Sequence, residues 1–193
     1  MNVKKIGIFG GSFDPVHNGH IKLALLAQKQ FNLNDVIFVP AKLAPHKQES
    51  FATVKDRLAM LKLALKPHRN FKISSFELNQ KGTTYTYQTV AHFKKLFASK
   101  ELFFLLGIDS LGELIFWKNP EKIVLRCHIL AAKRGNLRVN IPVFAKDSIS
   151  FLSKTIPNFS STQIRDKVKE NKSIKTLVPP KVASYIKKNK IYQ

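Results

Sequence analysis

The sequence predicts an α/β fold, a mostly parallel sheet with helices on both faces. Short apolar runs recur along the chain, and apolar residues at helical spacing lie between them. No internal repeat or low-complexity tract interrupts the alternation. Strands separated by helices in this rhythm imply right-handed βαβ units and a sheet covered on both sides.

The first candidate strand is KKIGIF, residues 4 to 9, after which Ile21, Ala24, Leu25 and Gln28 trace a helical face. DVIFV at 35 to 39 is the second strand, followed by a helical face of Val54, Leu58, Leu61 and Leu65. FKISS at 71 to 75 is the third, and Val90, Phe93 and Phe97 suggest the next helix. ELFFLL at 101 to 106 and HILAA at 128 to 132 complete the set. With 193 residues and 44% apolar composition, the chain is expected to form one domain over 1–193, with a small helical part from about 160. The single cysteine, Cys127, cannot form an internal disulfide. No apolar run approaches the ~20 residues that span a bilayer, and the start lacks a signal-peptide pattern, so a cytoplasmic protein is expected.

The charge is less ordinary. Thirty-three Lys and Arg against 12 Asp and Glu leave +21. Such a field attracts polyanions, and residues 160 to 193 carry nine positive and two negative side chains. A lysine-rich composition that solvates helix faces explains the same numbers, so charge alone does not name a partner.

The stretch GIFGGSFDPVHNGH, residues 7 to 20, lies where ligands gather in such folds, at the carboxyl end of the first strand. Gly10 and Gly11 permit positive φ and let another group approach the backbone. Pro15 bars a helix from continuing through Asp14, and Asn18 is a reasonable N-cap. Unpaired backbone N–H groups would then face the strand end, an anion site in outline. His17 and His20, three apart on a first turn, share one face and could point at one phosphate. The glycine spacing does not fit G-x-G-x-x-G, and no Walker lysine loop occurs. Asp14, His17 and His20 could bind zinc, but no cysteine lies near and no fourth ligand is evident, so no metal site is assigned.

A second stretch, NFSSTQIRDKVKEN at 158 to 171, carries a capping box of Ser160 and Gln163. Ser161 and Thr162 should lie in the first helical turn, with Arg165 on the face of Ser161. Hydroxyls, backbone N–H groups and a guanidinium would converge on one point, which suits nucleotide phosphates.

Together the two stretches resemble a known pair. GGSFDPVHNGH is similar to the (T/H)xGH signature of the nucleotidyltransferase superfamily, and FSSTQIR to its ISSTxxR signature. APHK at 44 to 47, GTTYTYQT at 82 to 89, LLGIDSLGELIFW at 105 to 117 and the ending LVPPKVASYIKKNKIY extend the resemblance to bacterial nicotinate mononucleotide adenylyltransferases. His17 favours these over pantetheine-phosphate adenylyltransferases, which usually have threonine there.

The resemblance implies a Rossmann-like nucleotidyltransferase fold. It implies transfer of AMP from ATP to nicotinate mononucleotide, with Mg²⁺, giving deamido-NAD and pyrophosphate. It assigns His17, His20, Lys47 and Arg165 to the chemistry. Gly10, Ser12, Phe13, Gly107, Asp109, Ser161 and Thr162 would hold ATP, and Gly11, Thr84, Tyr85 and Trp117 the nicotinate nucleotide. The attacking phosphate is already ionised at neutral pH, so donors and cations are needed rather than a general base. Departures from the family pattern are Ser12 for threonine, Thr83-Thr84 for proline-serine, Gln88 for aspartate, and AAKRG where arginine-proline-glycine is usual. Several of these lie near the expected pyridine pocket, which keeps nicotinamide mononucleotide and phosphopantetheine open as alternative acceptors. A basic nucleic-acid-binding module on the same fold is the alternative of another class, and the intact signatures argue against it. A homo-oligomer is compatible with the sequence.

Overall fold

The computed structural model describes residues 3–42, 50–135 and 139–193. Among these residues six strands, β1 (Lys5–Gly11), β2 (Asp35–Pro40), β3 (Phe71–Ile73), β4 (Glu101–Gly107), β5 (His128–Ala132) and β6 (Ile149–Phe151), form one sheet in the order β3-β2-β1-β4-β5-β6. Every neighbouring pair is parallel. The order reverses between β1 and β4, which opens a crevice at their carboxyl ends. The expected α/β architecture is therefore present, with one strand more than the apolar runs suggested.

Among the described residues, seven α-helices cover the sheet: α1 (Asn18–Phe31), α2 (Val54–Leu65), α3 (Thr86–Leu96), α4 (Ile108–Gly112), α5 (Glu121–Val124), α6 (Ser161–Lys169) and α7 (Pro180–Lys188). Strand alternation sends Phe9, Phe38, Phe103 and Leu105 to one face, against Leu23 and Ala27 of α1, Leu61 of α2, Ile164 of α6 and Ile186 of α7. Ile8, Ile37, Phe104 and Leu106 point the other way, against Val90 and Phe93 of α3, Leu111 of α4 and Ile123 of α5. The helical faces differ in detail from the expected ones. Leu25 and Val54 are exposed, whereas Leu23 and Met60 are buried.

Arg57 was not anticipated in the core. It stands on the inner face of α2 at 1% exposure, and its guanidinium donates to the carbonyls of Ser12 (2.7 Å), Ala41 (2.8 Å) and Lys42 (3.3 Å). It thereby ties the end of β2 to the turn after β1, satisfying carbonyls that would otherwise be buried without donors.

Candidate active site

The signature loop after β1 is held from several directions. Gly10 and Gly11 continue the strand, and the residue that turns the chain with a positive φ is Phe13, at 48°. A bulky residue is rare in this region. Burial of its ring among Phe9, Phe38 and His20 holds it there, so Phe13 supports the loop from beneath rather than facing a nucleotide. The carboxylate of Asp14 accepts the N–H groups of Phe51 (2.8 Å) and Ala52 (3.1 Å) and the hydroxyl of Tyr192 (2.6 Å). One loop is thus tied to the start of α2 and to the chain's end.

His17, not Asn18, is the N-cap of α1. The His20 N–H donates to His17 Nδ1 (3.3 Å), and the His17 N–H donates to His20 Nδ1 (3.2 Å). The two imidazoles stack with centroids 3.7 Å apart. A Cβ at position 19 would stand 2.9 Å from the His17 ring, so glycine there makes the stack possible. Because both Nδ1 atoms accept, each neutral ring must carry its proton on Nε2.

Burial holds both rings in that neutral form. Burial first, then the Arg134 guanidinium, lowers His17 from 6.5 to about 3. Burial, His17 and Arg134 hold His20 well below its ordinary value. The unfolded chain therefore binds more protons than the folded one between about 3 and 6.5, and ligand-free stability falls as pH drops through that window. A loss of about 1.4 kcal/mol per pH unit is expected from His17 alone. Urea midpoints at pH 7.5 and 5.5 check this, with His17→Asn, which keeps a capping side chain, flattening the slope; equal midpoints in the parent protein would contradict it.

A cavity of about 460 Å³ opens at the crevice between β1 and β4. Gly10, Gly11, Ser12, His20, Thr84, Tyr85, Gly107, Asp109 and Trp117, all expected in the site, line it. A Cβ on Gly107 would meet nothing within 4 Å, so the wall is open where a nucleotide would approach. Trp117 meets Phe104 edge-on at 6.3 Å, and its Nε1 is buried without a partner among the described residues. The Tyr85 N–H donates to Gln88 Oε1 at 2.9 Å, in the capping box that starts α3.

Other expected residues do not line the cavity. His17 lies behind His20 at 2% exposure. The capping box of Ser160 and Gln163 forms as expected. Its neighbours, however, turn toward the first signature. Ser161 Oγ donates to Pro15 O (2.9 Å), and Arg165 donates to Asp14 O (2.8 Å) and to Thr162 Oγ1 (3.0 Å) beneath the Phe51 ring. Arg165 is 4% exposed. Its bonds to the turn, with that of Ser161, tie the second signature to the first. Lys47 lies outside the described residues.

The cavity also contains residues the sequence did not single out, among them Arg134, Lys118 and the acids Glu77 and Glu113. Lys118 Nζ stands 4.5 Å from the centre of the Tyr85 ring. Glu77 accepts the Thr89 hydroxyl at 2.6 Å, and burial raises its pKa. Arg134 sits two residues beyond β5, at a strand end on the same edge as the one that carries the first signature.

The model of the cytidylyltransferase-like family matches residues 8–167. A Clostridium tetani protein named "probable nicotinate-nucleotide adenylyltransferase" is 35% identical over 99% of this chain and 100% of its own. An Endomicrobium trichonymphae protein of the same name is 40% identical over 98% and 99%. The chain belongs to the nicotinate-nucleotide adenylyltransferase family. Solved structures share the family fold at lower identity. The Plasmodium falciparum nicotinic acid mononucleotide adenylyltransferase complexed with NaAD superposes with a TM-score of 0.77, at 22% identity over 98% of this chain and 97% of that one. A Vibrio parahaemolyticus structure described as "a putative nicotinate-nucleotide adenylyltransferase" gives 0.73, at 20% identity and coverage of 98% and 95%. Among the described residues of this adenylyltransferase no helix is long and apolar enough to cross a membrane.

Proposed function

We infer that this adenylyltransferase transfers AMP from ATP to nicotinate mononucleotide, releasing pyrophosphate and forming deamido-NAD. The observation that carries this reading is the cavity at the sheet's switch point, with His20 and its fixed Nε2–H on one wall. A phosphate oxygen of nicotinate mononucleotide attacks the α-phosphorus of ATP, a new P–O bond forms, and the bond to the pyrophosphate oxygen breaks. The nucleophile arrives ionised, so no side chain need take a proton from it. Catalysis then consists of holding the reacting groups in line and donating hydrogen bonds to the phosphoryl oxygens.

In this reading His20 Nε2–H donates to the transferring phosphoryl group. Such a donor is neutral in the empty site and gains charge as the anion arrives. Gly107 and Asp109 flank the ribose, and Thr84, Tyr85 and Trp117 form the pyridine end. His17 fixes the tautomer and tilt of His20, and Arg165 with Ser161 fixes the turn that carries both. Among the described residues no cluster of three or more His, Cys, Asp or Glu is placed to hold a metal. Mg²⁺, arriving with the triphosphate, would offset the charge of its phosphates while His20 and the backbone around it hold the reacting group. We place the reaction in the cytoplasm, and nothing in the site calls for a nucleic acid.

Pyrophosphate release from ATP with nicotinate mononucleotide, nicotinamide mononucleotide or phosphopantetheine as acceptor tests the assignment. The first should be preferred by at least about tenfold, the discrimination that a contact difference of 1.4 kcal/mol supplies. Equal rates with the first two acceptors would overturn the choice of the acid form.

A further inference from the structure

Asp109 and Arg134 face each other across the mouth of the cavity. Asp109 stands in the first turn of α4, directly after β4, and Arg134 follows β5. Arg134 Nη1 lies 2.9 Å from Asp109 Oδ2, and the side chains are 19% and 53% exposed respectively. Arg134 Nε is buried and has no hydrogen-bond partner among the described residues. Its charge also acts on both imidazoles, as their lowered pKa values record. A guanidinium that wraps a cavity wall with one N–H unsatisfied is left short of an acceptor. Phosphate oxygens match its forked geometry better than a single carboxylate oxygen does.

We propose that Asp109 and Arg134 form an exchange pair: the carboxylate holds Arg134 in the empty site, and ribose hydroxyls that take the carboxylate release the guanidinium to the nucleotide's phosphates. The proposal rests on the adenylyl-transfer reading of the same cavity. It makes phosphate binding conditional on the nucleoside. A bare polyphosphate must break the ion pair with nothing to replace it on Asp109, whereas ATP supplies a replacement along with its phosphates. Arg134 is then a catalytic residue once nucleotide is bound and a restrained one before.

Calorimetric titration of the full chain with magnesium tripolyphosphate and magnesium ATP tests this. The proteins compared are the parent, Asp109→Asn, Arg134→Gln, Arg134→Lys, the double variant of Asp109→Asn with Arg134→Gln, and Glu113→Gln, which removes an equal charge from the same cavity. Asp109→Asn should tighten tripolyphosphate binding about three- to fivefold, the size of a partly exposed ion pair. Glu113→Gln should tighten it less, and the gain for ATP should be smaller than for tripolyphosphate. Arg134→Gln should weaken both ligands and abolish the gain from Asp109→Asn, a coupling the double variant measures directly. Arg134→Lys, which keeps the charge without the fork, should restore part of the loss. Equal gains from Asp109→Asn and Glu113→Gln, or a gain that persists without Arg134, would overturn the proposal. Failure of the parent protein to turn over nicotinate mononucleotide would overturn the reaction assignment instead, since the polyphosphate titrations do not depend on the acceptor.

Discussion

Replacing His20 with alanine lowers turnover of ATP and nicotinate mononucleotide by about 10²–10³-fold, as loss of one preorganised donor to a developing charge does elsewhere. The change also removes the acceptor for the His17 N–H at the start of α1, a cap worth about 1 kcal/mol. Far-ultraviolet circular dichroism and a urea midpoint close to the parent's would show that the fold survives this smaller cost. The loss should fall on kcat and kcat/KM together, because the contact is made to the transferring group. Near-normal turnover would remove His20 from the mechanism. His17→Asn provides the contrast, since asparagine still caps the helix but no longer stacks on the His20 ring. It should cost less turnover than His20→Ala.

The second large effect is expected from Arg165→Lys. Lysine keeps the charge, but it cannot donate in a fork to Asp14 O and Thr162 Oγ1 at once, and it stacks less well beneath Phe51. A stability loss of about 1.5–3 kcal/mol follows from leaving a charge-assisted partner buried and unsatisfied. Turnover should fall at least about tenfold, because the turn that carries His17 and His20 loses its anchor and a small misplacement is costly in such sites. Kinetics and denaturation on the same preparation separate two roles. A fall in kcat together with a lower urea midpoint marks a positioning residue. A rise in KM for ATP alone, with the midpoint unchanged, would return Arg165 to direct phosphate contact.

These two residues show how far local pattern carries. The strands β1, β2, β4 and β5 were legible because each is a short apolar run bounded by polar or turn-forming residues, as buried parallel strands require. Of the two three-residue edge strands, Phe71–Ile73 was legible in FKISS, while Ile149–Phe151 was not. The capping box at Ser160 was legible because both its members lie within one turn. Arg57 was not, since a charged residue on an inner helical face looks like a break in the apolar pattern until the carbonyls it serves are seen. Arg134 is hidden in the sequence for a related reason. Its partner Asp109 is 25 positions away in the chain, and neither residue signals the other.

The sequence by itself determined the fold class, the position of the crevice at the end of β1 and the family, because these depend on hydrophobic alternation and on motifs of a few adjacent residues. Only the tertiary structure decided which donors face the cavity. Ser161 and Arg165 turn to Pro15 and Asp14 because carbonyls about 150 residues away needed donors, and the Tyr192 hydroxyl closes on the buried carboxylate of Asp14. The direction of a polar side chain is set by the partners that burial leaves it. Here those partners lie on elements far apart in the chain.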